Sequence, residues 1–287
     1  MKVSLNPELT NHCNYRCKFC PQSYYKKKSP LGNVYDRKKG FMSKDLWKIV
    51  LRNAEKYAKV LCLGFFGEPM LHSHFKTFVD MVPEKRNYKF ELNTNFSLVS
   101  SKYFRTLGKF DNIKVSLDSD DPLTYRLLCK GPKELGAIED VLKVWLNLKG
   151  HSPTRIVHVV SSVNEKYVSR FIKKWKPLLG KEDHILTKSV LSYGGVIKDS
   201  YMVENRCKSL DQNWFIVGWN GVCSICNLDV NLELNVGTLS NKSTVEQILN
   251  SEQCQNVRRD IKSKLGICKN CFDANNWTKN KVYRKEN

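Results

Sequence analysis

The sequence predicts an α/β fold of parallel strands joined by right-handed helical crossovers. Two observations lead there: six short β-rich runs alternate with amphipathic helical stretches, and 41% of the 287 residues are apolar. That apolar content can bury a full core, so one large domain, alone or with a small appendage, is expected.

The strands are read at residues 2–5, 60–64, 88–94, 113–117, 155–161 and 185–190, where β-branched and aromatic residues cluster. Two helices between them are clearest. Val168, Phe171, Ile172 and Trp175 form an apolar stripe that stops at Pro177, and Val141, Val144, Trp145 and Leu148 form another. Both stripes are expected to face the core. In parallel-barrel enzymes the loops at the C-terminal strand ends carry the chemistry, and the most informative segment of this chain follows the first strand.

That segment runs His12-Cys13-Asn14-Tyr15-Arg16-Cys17-Lys18-Phe19-Cys20. Three thiolates this close can hold a 4Fe-4S cluster and leave one iron without a protein ligand, open for chemistry. The plainer readings are three of four zinc ligands, or unconnected buried thiols. The cysteine spacing, with Phe19 just before the last cysteine, resembles the signature of the radical S-adenosylmethionine (SAM) superfamily. The resemblance implies a partial (β/α)6 TIM-like barrel and an open iron that binds the amino and carboxylate groups of SAM. It also implies one-electron cleavage of SAM to methionine and a 5'-deoxyadenosyl radical, which abstracts hydrogen from a substrate.

The following strand ends carry matching pieces in the expected order. Gly67-Glu68-Pro69 is similar to the family's Gly-Gly-Glu-Pro segment, with Phe66 in place of the first glycine. The match implies Glu68 as acceptor for the SAM ammonium and Gly67 as a point of close backbone approach. Thr94-Asn95 is similar to Thr-Asn-Gly, with Phe96 where glycine is usual. Val115-Ser116-Leu117-Asp118 resembles the segment that lines the SAM ribose and carboxylate, although Ser and Asp are also common helix caps. The implied SAM-site residues are therefore Phe19, Gly67, Glu68, Asn95, Ser116 and Asp118. Relatives often place an arginine four residues after a tyrosine, to pair with the SAM carboxylate; here Tyr125 is followed by Cys129. Arg126 and Lys130 are the neighbouring cations, and a lysine cannot reproduce a guanidinium fork.

Six more cysteines lie near the C-terminus: Cys207, Cys223, Cys226, Cys254, Cys268 and Cys271. Trp219-Asn220-Gly221, Cys226, Asp229, Gly237-Thr238-Leu239, the helix-like residues 245–250 and Cys268-Lys269-Asn270-Cys271 resemble the SPASM or twitch extension, a small α+β domain that binds auxiliary iron-sulfur clusters. Set against that pattern, Cys223 falls at an apolar strand position and Cys254 where a helix buries a large apolar residue; cysteine often acts as a small buried hydrophobe. The resemblance thus implies one auxiliary cluster held by Cys207, Cys226, Cys268 and Cys271, with Cys223 as the substitute for Cys226. A four-cysteine zinc site is the competing reading. The domains are expected at residues 1–200 for the radical SAM core, 201–275 for the auxiliary domain and 276–287 for a basic tail.

The formal net charge is +20, with basic groups at Lys26-Lys27-Lys28, Arg37-Lys38-Lys39, Lys173-Lys174, Arg258-Arg259 and residues 279–285. Such a field serves nucleic acid, an acidic peptide or a polyanionic, nucleotide-bearing substrate, and it equally describes a lysine-rich solvated surface. Residues 21–40 follow the cysteines directly and are expected to form a basic lid, with Lys26 to Lys28 at its head and Tyr24-Tyr25 available for stacking.

None of the six His shows paired metal spacing, and strand parity alone leaves open which way His158 points. No nucleophile and base pair stands out, as expected where a cofactor supplies the reactive group. No apolar run reaches the roughly 18 to 20 residues that span a bilayer, and no signal-peptide pattern opens the chain. A cytoplasmic protein with no membrane partner is expected, its cysteines reduced. The resemblance implies a radical SAM enzyme supplied with electrons by a donor such as flavodoxin or ferredoxin, acting by hydrogen abstraction on a small molecule, peptide or nucleotide. The alternative from another class is a non-catalytic metal-binding module with a basic, nucleic-acid-binding surface.

Overall fold

The structure is a computed structural model that describes residues 2–28, 34–199, 207, 210, 213–271 and 280–285. The N-terminal half runs β1 (Val3–Pro7), β2 (Arg16–Cys17), α1 (Lys44–Tyr57), β3 (Ala58–Leu63), α2 (Phe75–Asp80), β4 (Lys89–Thr94), α3 (Phe104–Leu107) and β5 (Asn112–Ser116). Next come α4 (Pro122–Leu128), β6 (Cys129–Lys130), α5 (Leu135–Asn147), β7 (Thr154–Val160), α6 (Val168–Trp175) and β8 (His184–Ser189). The chain closes with β9 (Trp214–Val217), β10 (Val222–Ser224), β11 (Asn235–Thr238), α7 (Val245–Leu249), α8 (Glu252–Lys262) and β12 (Lys281–Tyr283).

β1, β3, β4, β5, β7 and β8 lie side by side in that order, all parallel. These are the six strands read from the sequence, each end within two residues of its expected position. Helices cross between them, as parallel connection requires. Each helix has a local cause. The Ser43 hydroxyl accepts from Leu46 N–H to start α1, whose buried face is Trp47, Val50 and Ala54. The Asp121 carboxylate accepts from Thr124 N–H at 2.8 Å and Pro122 opens α4. Thr244 and Gln247 form a reciprocal capping box on α7.

The stripe expected on α6 buries Phe171 and Trp175. That on α5 is corrected: Val144 is 54% exposed and Leu148 38%, and the buried face is Leu135, Ile138, Leu142, Trp145 and Leu146. Both sets fit a helical period and share Trp145. Its indole N–H donates to the Thr154 hydroxyl at 2.9 Å, which turns the face onto β7 and decides between them. His158, also on β7, points away from the barrel interior, its ring 4.2 Å from that of Phe171.

The sheet does not end with the barrel. β9 pairs in parallel with the free side of β1, β10 and β11 follow antiparallel, and β12 closes the opposite edge on β8, giving ten strands in all. The expected C-terminal domain therefore shares a sheet with the core. The expected junction at residues 200 and 201 lies outside the described residues. Of the expected tail, residues 280–285 are described and contain β12. No helix among the described residues is long and apolar enough to cross a membrane.

Candidate functional site

The loop after β1 is anchored before it reaches the cysteines. Glu8, 1% exposed, takes a bidentate fork from Arg37 at 2.6 and 2.7 Å and also accepts from Trp219 N–H at 3.4 Å. The Asn11 side chain donates to the Lys38 carbonyl and accepts from Gly40 N–H, while the Thr10 hydroxyl donates to the Gly40 carbonyl. A Cβ on Gly40 would meet the Trp219 ring, and the indole N–H of Trp219 donates to the Lys38 carbonyl at 3.1 Å. The cysteine loop, residues 34–41 and the turn between β9 and β10 are thus locked together.

Cys13, Cys17 and Cys20 are each partly exposed. Cys20 N–H donates to the Cys17 carbonyl at 2.9 Å, and Tyr15 N–H reaches the Cys13 sulfur at 3.4 Å. Burial pushes Cys20 up to about 12, with Cys17 adding to it; burial, then Glu68 and Cys20, hold Cys13 still higher. The thiols therefore sit close enough to repel one another's anions, the arrangement that a multivalent positive centre relieves. Three thiol donors on one loop fit an iron-sulfur cluster. Among the described residues no three His, Cys, Asp or Glu converge on a point for a single metal ion. A four-iron cube holds its ligands apart at its corners and does not ask for that convergence.

The neighbouring strand ends bring the expected SAM-site residues to this loop. Gly67 has φ +124°, and a Cβ there would run into the Thr10 carbonyl oxygen, so the chain after β3 crosses the cysteine loop at van der Waals distance only because the residue is glycine. Glu68 N–H donates to the His12 carbonyl. The Glu68 carboxylate, 2% exposed, accepts from the Thr94 hydroxyl at 2.9 Å and from Asn95 N–H at 2.7 Å. Burial nonetheless pushes it up to about 7, so a bound cation would restore its charge. The Asn95 amide donates to Asn14 at 2.9 Å and approaches the Cys13 sulfur at 4.0 Å. Phe19 is half-buried against the core. Ser116 is exposed at the end of β5, whereas Asp118 is 3% exposed and accepts from Val159 N–H at 2.7 Å. Burial lifts Asp118 to about 7.

The departures from the family pattern have structural readings. Phe66 packs in a second apolar cluster with Tyr35, Val190 and Val196. Phe96 takes φ +61°, the backbone region in which glycine is unstrained, which explains why glycine is usual at that position. Cys129 lies opposite Cys17 in the β2–β6 pair, and a shared thiol hydrogen bond together with burial holds Cys17 well above its usual range. Arg126 is tied to Glu134 on the exposed side of α4 at 2.8 Å, and Lys130 is exposed opposite Arg16.

At the other cysteine-rich region, Cys226 is 8% exposed, Cys268 and Cys271 are half-buried and Cys207 is exposed. Burial pushes Cys268 up to about 11, with further contributions from Cys207 and then Asp229, so these three groups are neighbours. Asp229 builds the turn that presents Cys226: its carboxylate accepts from the Ser224 hydroxyl and from Glu233 and Leu234 N–H, and its N–H donates to the Cys226 carbonyl. Cys223 and Cys254 are fully buried, the former with its thiol on the Gly221 carbonyl at 3.2 Å. Cys207, Cys226, Cys268 and Cys271 could supply four thiol donors, a set that suits an iron-sulfur cluster or a zinc ion.

Sequence reasoning missed two features. Lys39, donating to Gln22 at 2.6 Å and lying 4.4 Å over the Tyr25 ring, stands near Cys13 and Cys20, and burial pushes it down to about 8. Within the expected lid it is Arg37 and Lys39 that turn inward, while Lys26 to Lys28 are exposed. The barrel interior also holds a cavity of about 320 Å³ with a mixed lining, whose polar side includes Asn6, Glu91, Asn93, Lys114 and Lys188. The available signal was a charged residue inside each of three parallel strands, which normally read as apolar runs.

The radical SAM superfamily model matches residues 8–174, and a model of an iron-sulfur cluster-binding domain, SPASM, matches residues 207–272. An S-adenosylmethionine-dependent nucleotide dehydratase from Selenomonas ruminantium is 25% identical over 174 residues, 57% of this chain and 58% of the relative. A probable GTP 3',8-cyclase from Methanosarcina mazei is 27% identical over 187 residues, 62% of this chain and 52% of the relative. The matches thus span little more than half the length of these curated relatives. BtrN, solved in complex with AdoMet and 2-DOIA, aligns with TM-score 0.62 at 17% identity over 94% of this chain and 93% of its own. Streptococcus suis SuiB bound to S-adenosylmethionine aligns with TM-score 0.69 at 15% identity over 100% of this chain and 76% of its own. At such identities the likeness is one of fold. The chain belongs to the radical SAM superfamily, enzymes whose cofactors are a 4Fe-4S cluster and SAM, and it carries an iron-sulfur cluster-binding domain toward its C-terminal end.

Proposed function

We propose that Cys13, Cys17 and Cys20 hold the SAM-binding cluster, and that the protein directs radical chemistry onto a small polar molecule seated in the barrel cavity. When bound, the cluster supplies the electron that cleaves SAM to methionine and a 5'-deoxyadenosyl radical. Glu68, fixed by Thr94 and Asn95, accepts from the SAM ammonium; Asn95, Ser116 and Asp118 face its sugar and carboxylate; Phe19 and Gly67 shape the wall. The apolar cluster around Phe66 excludes water from the reacting centre. Cys207, Cys226, Cys268 and Cys271 hold an auxiliary cluster, and flavodoxin or ferredoxin serves as electron donor.

The observation that carries this reading is the meeting of the cysteine loop with Glu68 and Asn95 at adjacent strand ends: Glu68 N–H on the His12 carbonyl at 2.8 Å and the Asn95 amide on Asn14 at 2.9 Å. A small-molecule substrate is favoured by the volume of the cavity, about 320 Å³, and a nucleotide by the named activities of the two curated relatives. Anaerobically reconstituted protein given SAM and a strong reductant is expected to form 5'-deoxyadenosine, and a Cys13, Cys17, Cys20 to Ala triple variant to form none. Iron-loaded, folded protein that makes no 5'-deoxyadenosine with nucleotides present would contradict the reading.

A further inference from the structure

The barrel cavity of about 320 Å³ is lined in part by Ser4, Asn6, Glu91, Asn93, Lys114 and Lys188. Strand register sets Asn93, Lys114 and Arg155 side by side across β4, β5 and β7. The Lys114 ammonium is neutralised by Glu91 at 2.5 Å. Arg155 has no such carboxylate among the described residues; its Nε–H goes to the His184 ring at 2.7 Å. The Lys188 ammonium, on β8, forms no side-chain hydrogen bond or ion pair among the described residues. Its attractive neighbour is Asp118, and Lys114 and Arg155 oppose it. One Asp118 oxygen is already engaged by Val159 N–H. Two cations in and beside one interior cavity therefore have no carboxylate in salt-bridge contact among the described residues, an arrangement that costs stability until a ligand brings negative charge.

We propose that the cavity seats its substrate by a phosphoryl group, with Lys188 as the direct contact and Arg155 and Lys114 supplying the surrounding positive field. The proposal rests on the radical SAM reading of the cysteine loop and names the substrate class for that site. A phosphoryl group suits two cations without a carboxylate partner better than a single carboxylate does, because it brings up to two charges and three acceptor oxygens. Asn6 and Asn93 present amide donors and acceptors for the uncharged remainder. The volume falls in the range of small-molecule sites, so the substrate is a phosphorylated small molecule, the class to which nucleotides belong.

Pyrophosphate titrated calorimetrically into the anaerobically reconstituted full chain, with SAM present, tests the seat without requiring turnover. One site per chain is expected, weakened about tenfold or more in Lys188→Gln and Lys188→Met. Arg155→Gln, an independent variant on another strand, is expected to weaken it in the same direction, so a single variant that fails to fold does not end the test. A Lys166→Ala, Lys173→Ala double variant, which removes two exposed charges beside and on α6, is expected to bind like the parent. Equal affinity in the parent and the folded Lys188 variants overturns the proposal. So does equal weakening in the double variant, the mark of adsorption to a basic surface. Malonate, titrated in parallel, separates the sources of charge, and tighter binding than pyrophosphate overturns the phosphoryl assignment. Lys188-dependent pyrophosphate binding in a parent protein that never cleaves SAM would sink the radical SAM reading and leave the anion seat standing.

Discussion

His158 is held as a neutral ring by what surrounds it. One ring nitrogen, Nδ1, meets the Leu117 carbonyl at 3.1 Å, so Nδ1 carries the proton; the other, Nε2, lies 3.4 Å from the Asn164 amide nitrogen, whose two protons go to the Asp118 and Val159 carbonyls at 2.8 Å. A second proton would set a donor against the Asn164 donor inside an apolar layer. Burial accordingly pushes the ring down from 6.5 to about 4. Because the folded value lies below the unfolded one, the unfolded chain takes up a proton between pH 6.5 and 4 that the native chain refuses. The contribution is fully present above pH 6.5 and is lost as pH falls toward 4, amounting to roughly 3 kcal/mol. Buried Asp118, lifted to about 7, acts in the opposite direction, so the test is a difference. Urea unfolding at pH 7 and pH 4.5 should show the parent losing more stability than His158→Gln; parallel losses would mean that His158 is not the responsible group.

At the level of elements, α5 shows both the reach and the limit of periodicity. Its existence and type follow from the pattern, but two overlapping stripes share Trp145, and only the tertiary bond from that indole to Thr154 selects between them. Leu142→Ala, at a fully buried position, is expected to cost about 2–4 kcal/mol in denaturant unfolding, whereas Val144→Ala, half exposed, should stay within about 0.5 kcal/mol. A reversal of that order would restore the face read from the sequence. The six barrel strands were legible because each is a short run of β-branched, aromatic or other apolar residues before a turn. β9 to β12 were not, since their partners are set by topology and not by local pattern. The same limit hid the cavity lysines, whose inward direction depends on register, and the meeting of Cys129 with Cys17, which comes from opposite ends of the core.

Across the whole molecule, the continuity of the sheet ties the two cysteine-rich regions to one frame. β9 lies along β1, and the turn beyond it rests on Gly40 and on the Glu8–Arg37 pair behind the cysteine loop. Metal bound at the C-terminal cysteines should therefore support the same structure that carries Cys13, Cys17 and Cys20, since the free energy of metal binding is in part folding free energy. With a cluster at each region, the reconstituted protein should hold roughly eight iron atoms per chain. A Cys268→Ser, Cys271→Ser variant should hold roughly four and unfold at a lower temperature, yet keep the SAM-dependent absorbance change of the first cluster. The Cys13, Cys17, Cys20 to Ala variant should also hold roughly four irons but lose that change. About four irons and about one zinc in the parent, with the zinc alone lost on changing Cys268 and Cys271, would assign the C-terminal site to structural zinc and remove the auxiliary cluster from the mechanism.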